Sequence, residues 1–177
     1  MEKIALSGAL IMFLCACATA GQPQVPLEVV LQVDLARYLG RWYEIASFPQ
    51  HFQKGCTDSR AEYRIRDDGA IEVLNSCLRD GKVDTAKGTA WVMDKATNAK
   101  LKVSFFWPFR GDYWIIELGK DYEYAVVSAP SRKYLWVLSR TPKMEEQRYQ
   151  EIVVRLKDKG FDVAMLKRTE QGNRTDR

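Results

Sequence analysis

Alternation of apolar and polar positions dominates the chain from residue 40 to residue 140. Ala61, Tyr63 and Ile65 alternate with Glu62, Arg64 and Arg66; Asp67-Asp68-Gly69 then turns the chain, and Ile71, Val73 and Asn75 alternate with Glu72 and Leu74. Period two on both sides of a Gly-containing turn predicts a β-hairpin. Further strand-like runs occupy 85–93, 101–105, 113–118, 124–128 and 134–140. With a first strand opening at Trp42 they make eight. Each joins the next by a short connection, so sequence neighbours are expected to pair antiparallel.

The period changes once. After Thr141-Pro142, residues 144–157 place Met144, Arg148, Ile152 and Leu156 on one side with Tyr149 and Val153 beside them, which predicts a helix that Gly160 ends. Residues 161–166 return as a short extended piece. A shorter helix is expected over 33–39 with Asp34 as its N-cap, and Gly40 lets the backbone turn out of it into the Trp42 strand. One long helix cannot cover a wide sheet. Closing eight strands into a barrel removes both edges and lets the helix lie outside, around an interior that holds side chains or one small ligand. The expected fold is all-β: an eight-stranded antiparallel up-and-down barrel with a short N-terminal helix and one C-terminal helix packed outside.

Length and composition suit one domain: 177 residues, 46% hydrophobic and 28% charged. The 11% aromatic share, with five Trp and eight Tyr, fits strands that fill a core or line an apolar cavity. A net charge of +4 is evenly spread, without a Lys/Arg cluster dense enough to track a phosphate backbone, so nucleic acid is not an expected partner.

The N-terminus reads as a targeting segment. Lys3 is followed by an apolar stretch from Ile4 to Leu14, shorter than the roughly 20 residues a spanning helix needs. Two processing readings compete: Ala18-Thr19-Ala20 has the small-x-small form of a secretory site, and Leu14-Cys15-Ala16-Cys17 resembles a bacterial lipobox that marks Cys17 for lipid attachment. On the second, preferred reading, 1–16 is a lipoprotein signal peptide and 17–32 a tether. Residues 33–168 form the domain and 169–177 a flexible tail. The resemblance to bacterial lipoproteins implies, with Ala18 rather than an aspartate after the cysteine, sorting to the bacterial outer membrane, lipid-anchored, with the domain expected on the periplasmic face.

Cys56 and Cys77 are the remaining cysteines. An even pair in an exported chain favours a disulfide, and reflection about the 67–69 turn brings the two within the slack of one bulge. Metal ligation is not expected, with a single histidine and no second thiol pair. His51 invites a catalytic reading that lacks partners: there is no Gly-x-Ser-x-Gly elbow, and Ser104, Ser128 and Ser139 lie within strands without an accompanying acid and histidine pattern. Asp67 and Asp68 suit a turn better than a general acid/base pair. No catalytic residue and no cofactor are assigned.

Gly40-x-Trp42-Tyr43 resembles the first signature of the lipocalins, Asp121-Tyr122 is similar to the second with Lys120 in place of a threonine, and Arg140 is similar to the arginine of the third. The likeness runs from about residue 14 to residue 168 and is strongest to bacterial outer-membrane members. It implies a barrel with an internal lipid site, closed at the bottom by the short helix. It also implies that Arg140 lies across Trp42, so that Gly40, Trp42 and Arg140 act as closure residues, where a guanidinium over an indole contributes roughly 0.5–2 kcal/mol. Fatty acids or lysophospholipids are the implied ligands. Homodimers occur in the bacterial group, so a second copy is among the expected partners.

Strand alternation then sorts the side chains. Tyr134, Trp136 and Leu138 share the parity of Arg140 and are expected to face inward, as are Leu101, Val103 and Phe105 in a second column and Ala61 with Tyr63 in a third. At Tyr113 and Trp114 both faces are apolar and parity is silent. Each of these residues fills the barrel or lines a cavity. The mouth is expected at 48–55 and 107–112, with Phe48, Phe52, Trp107 and Phe109 exposed there to acyl chains, a membrane surface or a second subunit. Lys54 and Arg110 either hold a head group or are ordinary solvated loop charges. The expected function is storage or transport of fatty acids or lysophospholipids for envelope maintenance under stress; the alternatives are an envelope structural protein with a packed barrel and a lipid-modifying enzyme.

Overall fold

The computed structural model describes residues 25–172. Eight strands follow one another as a meander: β1 (Gly40–Ser47), β2 (Cys56–Ile65), β3 (Ile71–Arg79), β4 (Lys82–Val92), β5 (Lys100–Phe106), β6 (Phe109–Leu118), β7 (Tyr124–Ser128) and β8 (Leu135–Ser139). Every adjacent pair is antiparallel. β1 pairs β2 from Gly40↔Tyr63 to Tyr43↔Arg60 on one edge and β8 from Tyr43↔Ser139 to Ser47↔Trp136 on the other, and this double pairing closes the barrel. The expected strand order and closure are those observed.

Alternation decides which residues meet. On β8, Trp136 and Leu138 pack with the barrel interior, whereas Leu135 and Val137 pack outward against α2 (Glu146–Asp158). The same split runs along β7, with Ala125 and Val127 inside and Val126 outside. All five β7 residues are buried because both faces of that strand are covered. Helix α2 contributes Tyr149, Ile152 and Leu156 to the outer layer. It ends where expected, at Gly160 with φ +80, and the Phe161 amide reaches back to the Leu156 carbonyl at 3.1 Å.

The closed end is built on α1 (Leu35–Tyr38), whose N-cap Asp34 accepts from the amides of Ala36 and Arg37 at 2.9 and 3.3 Å. Gly40 sits at φ +89, a conformation that favours glycine. Trp42 is fully buried and donates from its indole to the Tyr38 carbonyl at 2.8 Å. The Arg140 guanidinium lies 3.8 Å from the Trp42 ring centroid and donates to the carbonyls of Leu39, Arg41 and Arg37 at 3.0, 2.9 and 2.6 Å. One side chain thus ties the end of β8 to α1 and the start of β1.

Two segments expected to be loose are packed. In the stretch read as tether, Leu27 is buried in the outer layer and the Val30 amide donates to the Ile115 carbonyl; just beyond it, the amide of Val33 donates to the Thr97 carbonyl. The apolar residues of 25–33 give that stretch surface to bury. At the other terminus a short strand β9 (Lys167–Arg168) pairs with β1 at Ala46 and Ser47, and residues 169–172 continue beside it. Gln171 donates to the carbonyls of Glu44 and Ser59, the Asp58 amide to the Glu170 carbonyl, and the Gly172 amide to the Asp58 carboxylate. The described part of the expected tail is therefore bonded, because pairing of β2 with β1 stops at Tyr43 and leaves backbone groups that this segment satisfies. The expected signal peptide, Cys17, and the tail beyond Gly172 lie outside the described residues.

Candidate functional site

A cavity of about 680 Å³ occupies the barrel from its open end to roughly mid-height. Its wall includes Ala61, Tyr63, Val103, Phe105, Trp136 and Leu138, each on the inward parity of its strand, with Tyr134, Phe52, Phe109 and Arg110 at the rim. Room for Phe105 comes from β4. A Cβ on Gly88 would stand 2.7 Å from the Ser104 carbonyl oxygen and 2.8 Å from the Phe105 ring, so only glycine lets the ring lie there.

Four of the predicted site residues lie elsewhere. Leu101, the second residue of β5, lies at the closed end and lines a separate apolar space of about 10 Å³ beneath the cavity. Phe48 is buried outside the barrel, because its amide continues the β1–β8 pairing to the Leu135 carbonyl at 2.9 Å and its ring packs against Phe161 with centroids 6.3 Å apart. A 3-10 turn over His51–Gln53 carries Lys54 away from the cavity into a polar recess of about 470 Å³, shared with His51, Glu170 and β9. Trp107 stands at the tip of the β5–β6 hairpin, 74% exposed and outside the cavity wall. Arg110 is at the rim, yet its guanidinium lies between two indoles, 4.8 Å from Trp91 and 4.9 Å from Trp107.

Cys56 and Cys77 are bonded to each other. The register shift between Thr57 and Arg60 supplies the slack that brings them together across β2 and β3. Arg79 donates to the Phe52 carbonyl at 2.8 Å, so the bridge and this arginine together hold the mouth loop to the β2–β3 pair.

Two polar features at the wall were missed from sequence, although Tyr63 itself stands in a predicted inward column. Glu44 is 7% exposed between the cavity and the polar recess, and accepts from Ser47 Oγ, Gln53 Nε2 and Thr169 Oγ1 at 2.9, 2.7 and 2.6 Å. Gln53 in turn accepts from the Trp136 indole at 3.2 Å, linking the mouth loop to the cavity wall. The second group is a phenol cluster. The Tyr113 hydroxyl meets that of Tyr38 at 2.7 Å and that of Tyr63 at 2.9 Å. Burial pushes the Tyr63 pKa up to about 12 and raises those of Tyr38 and Tyr113 well above the usual phenol value, so all three are neutral donors. A closing helix, the second strand and the sixth each contribute one member, which no local pattern foretells.

Residues 33–171 match the lipocalin-like domain family. The chain belongs to the lipocalin family. This lipocalin is 44% identical over 156 residues to temperature-induced lipocalin-1 of Arabidopsis thaliana, covering 83% of this chain and 84% of the relative. To the outer membrane lipoprotein Blc of Vibrio cholerae it is 40% identical over 163 residues, 89% of this chain and 95% of the relative. Apolipoprotein D of Mus musculus is 36% identical over 155 residues, 81% and 79%. Among solved structures, insecticyanin from Manduca sexta superposes with a TM-score of 0.67 at 21% identity, covering 85% and 86% of the two chains, and shares the fold. The Trp42–Arg140 pair at the closed end is the physical content of the signatures that carried the resemblance.

Proposed function

We propose that this lipocalin carries a single-chain lipid, a fatty acid or a lysophospholipid, from the bacterial outer membrane, where a lipid on Cys17 holds it, and that it serves envelope maintenance under stress. The observation that carries this reading is the open cavity of about 680 Å³ with its largely apolar wall. That volume falls within the range of roughly 300–1,000 Å³ for small-molecule sites, and it disfavours the packed-barrel alternative. The 40% identity to a protein named as an outer membrane lipoprotein supports the anchor and the compartment. A lipid-modifying activity gains little support, since His51 lines the polar recess and not the cavity.

Native mass spectrometry of the mature, unlipidated domain, with extraction of whatever it carries, tests the proposal. A one-to-one adduct of a single-chain lipid is the expected result and names the head group. A protein that arrives empty and takes up neither added fatty acid nor lysophospholipid leaves the barrel as a scaffold. The same spectra report whether two copies associate, for which the exposed aromatics Phe106, Trp107 and Phe109 offer apolar surface.

A further inference from the structure

The floor of the cavity is polar at one point. Four residues are common to the cavity and to the small apolar space beneath it: Tyr63, Val73, Val103 and Tyr113. Two valines and two phenols therefore separate the two, and Tyr38 backs the phenols from below. Three hydroxyls bring three protons, and the cluster's two hydrogen bonds use two of them. No other described residue reaches these oxygens. If the third proton sat on Tyr38 it would point into an apolar space of about 10 Å³ and stay unpaired, a costly arrangement for a buried donor. Tyr63 and Tyr113 line the cavity as well as this space, so from either of them the proton can turn to an acceptor in the cavity.

An empty cavity offers water to that proton. A plain alkyl chain displaces the water without replacing its bond, whereas a chain carrying an oxygen at the same depth restores it. The oxygen must be neutral. The charged side chains that line the cavity are Glu44, Arg60, Arg110 and Asp112, none of them part of the floor, and an ionised carboxylate brought down among valines and neutral phenols would lose its solvation without gaining a cation. Tyr113 lies three residues along β6 from Arg110 at the rim, roughly 10 Å at about 3.3 Å per residue.

We infer that the phenols Tyr63 and Tyr113, joined to Tyr38, form a subsite for a neutral oxygen function, a hydroxyl or carbonyl, on the buried part of the ligand chain, so that the cavity prefers an oxygenated single-chain lipid to the unsubstituted one. This rests on the lipid-carrier reading above and adds to it the chemical class of the cargo.

The test is a comparison of affinities for stearic acid, mid-chain hydroxystearic acid and ω-hydroxystearic acid, measured by displacement of an apolar fluorescent probe from the wild-type protein and from the Tyr63→Phe/Tyr113→Phe double variant. The wild type is expected to bind one of the hydroxylated acids about tenfold more tightly than stearic acid, and the double variant to bind all three alike. A general loosening of the barrel would move every affinity together and leave the ratios intact. Equal wild-type affinities for the three acids overturn the subsite while leaving the carrier standing, and they do so without any variant having to fold. So does a double variant that keeps the wild-type ratio between the hydroxylated acid and stearic acid. Failure of all three acids to displace the probe from the wild type overturns the subsite and the carrier together.

Discussion

Arg140 spans the closed end of the barrel from the ring of Trp42, 3.8 Å from its guanidinium carbon, to the carbonyls of the closing helix and the first strand. These acceptors are left over where α1 ends and β1 begins, so the arginine satisfies what the change of secondary structure exposes. Arg140→Ala is expected to lower unfolding free energy by about 2–4 kcal/mol, through the cation–π contact and the unpaired carbonyls. Arg140→Lys should recover less than half of that, because an ammonium cannot fork between several acceptors. Urea titration measures both. Lipid affinity at temperatures where the variants stay folded should remain within about twofold of wild type, because neither residue lines the cavity.

Alkaline pH should weaken the fold from within. In the unfolded chain Tyr38, Tyr63 and Tyr113 titrate near 10.0, whereas in the fold burial raises all three, Tyr63 to about 12. Between those values the unfolded state releases protons that the folded state keeps, so stability is fully present below pH 10, falls as pH rises, and is lost through the folded pKa. Each phenol contributes a slope of up to about 1.4 kcal/mol per pH unit. Urea midpoints measured across this window should fall steeply in the wild type and less steeply in the Tyr63→Phe/Tyr113→Phe variant.

Loss of the Cys56–Cys77 bridge removes a cross-link between residues 21 apart in sequence, worth about 3 kcal/mol by loop-closure arguments. The Cys56→Ala/Cys77→Ala variant should unfold at lower urea than the oxidised wild type and, unlike it, show no further shift with reductant. Because the bridge lies beside the Phe52 carbonyl that Arg79 holds, hydrogen exchange in 50–56 should rise more than in the closed end around 35–42.

Gly88 sets the position of a cavity side chain. Gly88→Ala places a methyl against the Ser104 carbonyl and the Phe105 ring, an overpacking expected to cost about 1–3 kcal/mol. Relief by rotation of Phe105 would change the cavity wall, so this variant should alter the affinity for a lipid or apolar probe more than Arg140→Ala does. A paired measurement of urea midpoint and probe affinity on the two variants separates the effects.

Most of the barrel was legible because period two is unambiguous where one face is polar. The split of Trp136 and Leu138 from Leu135 and Val137 follows from parity alone once Arg140 fixes the inward side. At Tyr113 and Trp114 both faces are apolar, and a register shift between Ile115 and Glu117 further along β6 breaks simple alternation, so the innermost polar member of the cavity could not be assigned. Phe48 looked like a rim aromatic beside Pro49; the continuation of β1–β8 pairing one residue beyond the strand turned it outward under Phe161. The phenol cluster and the buried Glu44 join residues 75 and 125 positions apart, and such meetings belong to the closed topology, not to any window of sequence.

The seam between the first two strands above Tyr43 is completed by Lys167–Arg168 and residues 169–172, which follow all eight barrel strands. During synthesis the strands that line the cavity all emerge before the segment that completes this seam. Closure of this flank therefore waits on residues far along the chain: a polypeptide cut short before residue 167 would leave the carbonyls of Glu44 and Ser59 and the amide of Asp58 without the partners that this segment supplies.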